Sequence, residues 1–474
     1  MSSTIDQHRS TLDAGTVQEL REGLRGQALA PGDAGYDEAR TIWNGMFDDR
    51  RPALVVQCAG VADVSRAVRF AVSEGLEIAV RGGGHSLPGF SSSDGGIVID
   101  LGPMKGVRVD PARRTVTAQG GLQWHELDHE TQAFGLAATG GLVSTTGVAG
   151  FTLGGGIGHL VRSQGLACDR LIGADVVTAD GRLVRAGTGS DAESELLWAL
   201  KGGGGNFGIV TSLDFQLAPL GPVVYGGAAF FGADQLREIL VRVRDMMEAG
   251  MPDELTLLVN MTTAPPAPFL PEEMHGHPGV AVLACWAGAV EDGEAALAPI
   301  RALGPGVDLL GPIPYVALQQ LLDPLFEKGA RNYMKAGYLP ELSDAVIDRL
   351  AAGHADRPAP QCELHIHTMG GAAARVPTDA SAFPHRGAPY VMNLMSRWQD
   401  PAQDAECLGW GRDVYASIEE HTTGGAYINF LGDEGQDGVR HAYGDEAYRR
   451  LAAVKATYDP DNVFHRNQNI MPAG

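Results

Sequence analysis

The side chains of this chain most able to do chemistry are set among glycines. Arg81-Gly82-Gly83-Gly84-His85-Ser86 follows a mostly apolar run at 76–80 and leads into Leu87-Pro88-Gly89. Consecutive glycines let successive backbone N–H groups turn inward as a concave anion nest, with no Cβ to keep a ligand away. A histidine at the lip of such a nest either makes a structural hydrogen bond or reaches the bound group. The loop predicts a seat for a phosphate-bearing cofactor, with His85 bonded to it. Residues 86–96 are rich in Ser, Gly and Pro and hold no helix pattern, so bare amides rather than a helix dipole would hold the anion.

Three other patterns compete for chemistry. Gly203-x-Gly205-x-x-Gly208 fits the dinucleotide fingerprint in letters only. That fingerprint needs a strand before it and a helix after it, with an acid some 20 positions on. Here a helix pattern precedes and a strand follows, which excludes a Rossmann site. His125-Glu126-Leu127-Asp128-His129 matches a zinc-hydrolase motif on a helix, but no extended motif follows and no glutamate stands between Glu130 and Glu193 as a third ligand. No metal is expected. His365 and His367 share one face of a strand, because strand side chains alternate. They read either as an ordinary polar face or as a pocket wall that handles protons.

The elements around these residues follow from periodicity. Strand 52–57, helix 61–74 and strand 77–80 deliver the chain to the glycine loop, and 96–101 is a further strand. Alternation over 106–119, broken at Asp110-Pro111, predicts antiparallel strands. A helix at 124–134, a hairpin about Ala179-Asp180-Gly181, a helix at 193–200 and a strand at 209–215 follow. The Pro/Gly content of 218–222 marks a boundary. Beyond it, long strands (280–286, 362–369, 389–398) alternate with helices (233–249, 295–303, 344–352). A strand at 426–432 and an amphipathic helix at 445–458 close the pattern.

Composition narrows the function classes. The 474 residues hold two to four domains' worth of chain. A net charge of −22 disfavours nucleic acid and anionic membrane as partners. The five cysteines are dispersed and form no C-x-x-C pair, which argues against a disulfide scaffold. The polar start MSSTIDQHRS has no apolar signal core, and no run is long enough to span a bilayer. A cytoplasmic protein, monomeric or homodimeric, is expected.

The succession RGGGHSLPG, GIVIDL, TGVAGFTLGGGIGHL, LWALKGGGGNFGIVT, then YINF with VKATYDPDNVF resembles the berberine-bridge-enzyme-like flavin oxidases of the vanillyl-alcohol-oxidase-type FAD-binding superfamily. Within that group it resembles the 6-hydroxynicotine-oxidase-like bacterial members. The resemblance is close over roughly 50–217 and 424–470 and weak between them. It implies an α+β protein: a two-subdomain FAD-binding lobe, and a substrate lobe with a mostly antiparallel sheet flanked by helices. The expected division is a lead-in at 1–46, the FAD-binding domain at 47–218, the substrate domain at 219–423, and a C-terminal segment at 424–474 that returns to the FAD lobe.

The resemblance also implies roles. FAD is the cofactor, covalently attached through His85. Many members carry a second link from a cysteine, whose place here is taken by Val143, so a single link is expected. The cofactor-binding set is Arg81, Gly82, Gly83, Gly84, His85, Ser86, Thr146, Gly147, Gly150, Gly154, Gly155, Gly156, Gly158, Gly208, Ile209, Val210 and Asn429. The catalytic set is Tyr427, His365 and His367, with Tyr427 of the Y-x-N motif as base. A tyrosine of ordinary pKa, near ~10, needs help, which His365 or His367 would supply. The implied reaction is hydride transfer from a C–H next to O or N of a small or medium organic substrate to flavin N5, with O2 reduced to hydrogen peroxide. The alternatives are an oxidative cyclase of a secondary metabolite and a flavin-binding protein without turnover.

Overall fold

A computed structural model describes residues 12–474. The polar start at 1–10, from which the absence of a signal segment was read, lies outside the described residues. No helix among the described residues is long and apolar enough to cross a membrane.

The first sheet has four strands, β1 (Gln27–Leu29), β2 (Leu54–Gln57), β3 (Ile78–Arg81) and β4 (Ile97–Asp100), in the order β1-β2-β4-β3. β2 and β3 run parallel to β4, and β1 lies antiparallel on β2. Leu54, Val55, Val56, Ile97, Val98 and Ile99 are fully buried, as expected of parallel strands covered on both faces. The helix Val61–Ser73 crosses from β2 to β3 and turns Val64, Ala67, Val68 and Ala71 into this core. The segment before 46 is therefore more than a lead-in, because β1 belongs to the sheet.

The second sheet is antiparallel: β5 (Val107–Asp110) and β6 (Thr115–Gln119) join β8 (Leu171–Val177), β9 (Leu183–Ala186) and β10 (Ile209–Gln216) in the order β5-β6-β10-β8-β9. The short strands β7 (Leu136–Ala137) and β11 (Ala218–Pro219) pair with each other.

The third sheet has eight strands. β12 (Val223–Gly232), β13 (Leu255–Thr263), β14 (Pro278–Trp286), β15 (Val307–Asp308), β17 (Arg331–Leu339), β18 (Glu363–Thr368) and β19 (Tyr390–Trp398) follow the order β15-β12-β14-β13-β18-β19-β17, and β16 (Gly311–Pro314) also pairs with β12. Its pairings are antiparallel. One face packs on the helices Leu236–Glu248, Gly293–Arg301, Asp344–Ala355 and Asp404–Ile418 around Leu257, Val259, Leu364, Ile366, Met392 and Leu394. The α+β architecture expected from the resemblance is thus present, and the opposite face of this sheet is free to line a cavity.

Buried polar groups join the third sheet to the rest. Arg162, on the short helix Val161–Gln164, donates to the carbonyls of Leu255 (2.8 Å), Met251 (2.7 Å) and Met369. Arg386 forks onto the Asp169 carboxylate. Asp323 accepts from Ser144 N (2.7 Å) and Ser144 Oγ (2.5 Å). Each pairing satisfies a group whose burial alone is costly.

Two local expectations differ. The strand expected at 426–432 does not form; Ile428–Phe430 is a single turn of 3-10 helix. Its polar side chains bond the chain at 151–157 in place of a ladder. The helix Val148–Leu153 was not anticipated, because it is six residues long and contains Gly150. The helix Trp124–Gln132 does carry the His-Glu-x-x-His pattern, with its polar groups engaged elsewhere. Glu126 accepts from Gln123 N and Lys105 Nζ, His125 lies 3.2 Å from the Ser144 carbonyl, and His129 is exposed.

Candidate functional site

An elongated cavity runs between the glycine clusters of the first two sheets and the free face of the third. Gly82, Gly83, Gly84, His85 and Ser86 form one wall, with Thr146, Gly147 and Gly150 beside them. None of the amides at 82–86 donates to an acceptor among the described residues, although Gly84 O accepts from Trp43 N and Ser86 O from Gly89 N. Only Gly84 of the five is buried, yet five successive amides without a protein acceptor line one wall of the cavity and form a row of donors for a ligand rich in acceptors. The loop reaches this shape only with glycine. Gly84 has φ +76°, and a Cβ on Gly83 would stand 2.6 Å from Gly147 Cα.

Gly150 and Gly205 complete the glycine lining. A Cβ built on either meets no protein atom within 4 Å, and both border the cavity. Gly154, Gly208, Ile209, Val210 and Asn429 line it as well. Four residues of the expected set do not. Arg81 turns away to pair with Asp100 at 2.7 Å and with the Ala39 carbonyl. Gly155 (φ +112°) and Gly156 (φ +94°) shape the turn behind the wall, and Gly158 packs against Gly140. The three glycines set backbone geometry there.

His85 stands at the lip, half-buried. Its Nε2 lies 3.0 Å from Thr145 Oγ1, and its ring stacks on Trp43. Burial, helped by the Arg397 charge, pushes its pKa down to about 3, so the imidazole is neutral. Val143, at the expected second-link position, lines the same cavity.

His365 and His367 line the facing wall, their ring centroids 5.9 Å apart. The register sets His365 between Asn260 of β13 and Asn393 of β19. His365 Nε2 is 3.0 Å from Glu363 Oε2, and both side chains are under a tenth exposed. Glu363 also accepts from Thr262 Oγ1 and, at 3.3 Å, from Asn260 Nδ2. Burial pushes the Glu363 carboxyl up, but the bonds and charge of His365, with Thr262 and Asn260, outweigh it and leave the group below its ordinary value. Burial holds the His367 pKa down to about 3.

Tyr427 meets a different fate from the one its motif suggested. Its hydroxyl oxygen accepts from Gly156 N (3.0 Å), Ile157 N (3.1 Å) and Asn429 Nδ2 (2.8 Å). No imidazole bonds it. Burial pushes its pKa up to about 12 against the pull of those donors. The help expected from His365 or His367 is therefore absent, because backbone amides occupy the oxygen. Phe430 stands between, 4.8 Å from Tyr427 and 6.0 Å from His367 between ring centroids.

Several residues in or behind the cavity walls escaped the sequence reading. Glu363 had a usable signal, since it shares the alternation of His365 and His367. Trp43, Asn393 and Arg466, Asn467 and Gln468 line the cavity with no local signature.

A family described as "FAD binding domain" matches residues 52–187, and one described as "Berberine and berberine like" matches 426–471. (R)-6-hydroxynicotine oxidase of Paenarthrobacter nicotinovorans is 32% identical, over 95% of this chain and 98% of that protein. An FAD-linked oxidoreductase of Dictyostelium discoideum is 31% identical over 96% and 97%. The solved 6-hydroxy-D-nicotine oxidase of Arthrobacter nicotinovorans superposes with a TM-score of 0.85 at 29% identity, over 95% of this chain and 98% of that one. These likenesses span both lobes, and the free amides at 82–86 fit the phosphates of the implied cofactor. The chain belongs to the berberine-bridge-enzyme-like FAD-linked oxidoreductases.

Proposed function

We propose that this FAD-linked oxidoreductase is an oxidase of a small or medium organic molecule, with His365 as the group that takes the substrate proton. FAD, when bound, supplies the two-electron acceptor: hydride from a C–H next to O or N goes to flavin N5, and O2 carries the electrons away as hydrogen peroxide. The observation that carries the reading is the Glu363–His365 pair on the wall opposite the glycine nest. With Nε2–H donating to a carboxylate, His365 keeps its Nδ1 lone pair for a substrate hydroxyl or amine, and Glu363 stabilises the imidazolium that forms. Tyr427, its pKa up at about 12, is a poor base and instead pins the turn at 154–157 to Asn429.

The same reading gives the lobes their tasks. The amides at 82–86 and the glycines at 147, 150, 205 and 208 hold the cofactor, and His85 anchors it by a single covalent link, Val143 having no nucleophile. The division at 47–218, 219–423 and 424–474 follows the same split of labour.

A substrate screen with peroxide detection, followed by His365→Asn and Tyr427→Phe in rapid-reaction flavin reduction, tests it. His365→Asn should slow reduction ~10²–10⁴-fold, and Tyr427→Phe far less. The reverse order would return the base to Tyr427. Product mass separates a ketone or imine from a new ring, and no peroxide with any substrate would favour a flavin-binding protein without turnover.

A further inference from the structure

Behind His85, three distant parts of the chain form one stack. The Trp43 indole lies on the His85 imidazole, ring centroids 5.0 Å apart and planes 16° from parallel. The Arg397 guanidinium lies 5.5 Å from the Trp43 ring and 5.4 Å from the Phe326 ring. Trp43 is fixed in turn, its Nε1–H donating to the Phe326 carbonyl at 2.7 Å. Arg397 is only 3% exposed. Its Nη2 donates to the Glu327 carbonyl at 2.8 Å, and its Nε and Nη1 have no partner among the described residues. A buried cation without a carboxylate is costly, so its position calls for a function. Aromatic faces attract a cation through their quadrupole, and here that attraction places positive charge one ring behind the histidine.

We propose that Arg397, acting through Trp43, is a positioning residue for the covalent attachment of the flavin: its charge holds the Trp43 ring, and the stack fixes the plane of His85, so that Nδ1 is presented to the cavity as a nucleophile. The proposal rests on the covalent reading of His85 given above. His85 Nε2 lies 3.0 Å from Thr145 Oγ1, and in the tautomer that donates Nε2–H to this hydroxyl the Nδ1 lone pair is free. In the attachment, a bond forms between Nδ1 and the flavin 8α carbon. One hydrogen leaves the 8α methyl and one leaves the imidazole as protons, and two electrons pass to the isoalloxazine and on to O2, giving hydrogen peroxide. The stack also explains why a strand of the substrate lobe, 312 positions along the chain (397 − 85), reaches back to the cofactor's anchor.

The test uses the full chain incubated with FAD. Total bound flavin is measured before acid precipitation and polypeptide-linked flavin after it. Arg397→Met should still bind FAD, with its linked fraction at a fixed early time at least fivefold below the native protein. Arg397→Lys, which keeps the charge, should recover most of it. Trp43→Leu removes the relay with Arg397 in place and should show the same loss. Native attachment in Arg397→Met or in Trp43→Leu overturns the proposal, and so does equal loss in the Met and Lys variants, since charge would then be irrelevant. If Arg397→Met fails to fold, Trp43→Leu decides alone. Covalent flavin in His85→Ala would instead sink the covalent reading itself.

Discussion

Gly150→Ala should make the empty protein more stable and the loaded protein worse. Gly150 is the third residue of the helix Val148–Leu153, and its Cα faces the cavity. A Cβ there meets no protein atom within 4 Å. Without cofactor the substitution therefore gains only helix propensity, about 0.8–1 kcal/mol, a factor of roughly five in the folding equilibrium. With cofactor, the methyl occupies the space in which the ligand must lie, and overpacking a close contact costs about 1–3 kcal/mol. The affinity for FAD should fall by roughly 5- to 150-fold. His85→Ala provides the background, because it removes the proposed covalent link and keeps the cofactor exchangeable. FAD is titrated into the single and double variants by flavin fluorescence, and urea unfolding of the same preparations gives the stability of the empty forms. Gly83→Ala supplies the contrast: its Cβ would stand 2.6 Å from Gly147 Cα, with only backbone to yield, so it should weaken the empty and the loaded protein alike. Unchanged FAD affinity in Gly150→Ala would refute the placement of the cofactor along this wall.

Three further outcomes follow from buried charges. Glu363→Gln replaces the carboxylate behind His365; losing a charged hydrogen bond of about 1.5–3 kcal/mol should slow flavin reduction by roughly 10- to 100-fold and leave KM nearly unchanged in stopped-flow work. Lys455 and Asp459 are paired at zero exposure, and Lys455 also holds the carbonyls of Asn206 and Phe464. Lys455→Met strands that carboxylate, so thermal unfolding should show a loss of about 3–5 kcal/mol. Asp128 is buried with Gln319 Nε2 as its donor, and burial pushes its pKa up to about 7. The folded state then keeps a proton that the unfolded state releases, and stability falls as pH rises from the ordinary carboxylate range to about 7. Asp128→Asn should remove that slope and be the more stable protein at pH 8 by up to about 4 kcal/mol, with little difference at pH 4.5. A native protein that gains stability across that interval would contradict the assignment.

The parts of the fold that repeat a period were legible in the sequence. The helix Val61–Ser73, the strands around it and three long strands of the third sheet, β14, β18 and β19, announce themselves by spacing, whereas β12, β13 and β17 did not. The glycine nest was legible because glycine is the one residue that tolerates the Gly84 backbone and the Gly83–Gly147 approach. The turn at Tyr427 was not, since a run such as Ala426-Tyr427-Ile428-Asn429-Phe430 has strand composition and is held by side-chain bonds to a segment more than 270 residues earlier in the chain. Asn429 serves two partners there, the Phe151 carbonyl and the Tyr427 hydroxyl, and neither leaves a trace in local sequence. Arg397 is the plainest case. Its neighbours Trp43 and Phe326 come from other segments, and only packing reveals that a strand arginine backs a loop histidine.

The order in which the cavity's walls are synthesised carries a consequence of its own. His85 and the amides at 82–86 leave the ribosome early, His365 and His367 late, and Phe464, Arg466, Asn467 and Gln468 later still, yet all of them border the same cavity. Asn206 binds the Gln468 carbonyl and receives Ile470 N, and Lys455 ties Asn206 to Phe464. A nascent chain halted before this stretch presents a glycine nest open on one side. The wall that these last residues supply is then the last part of the cavity to form.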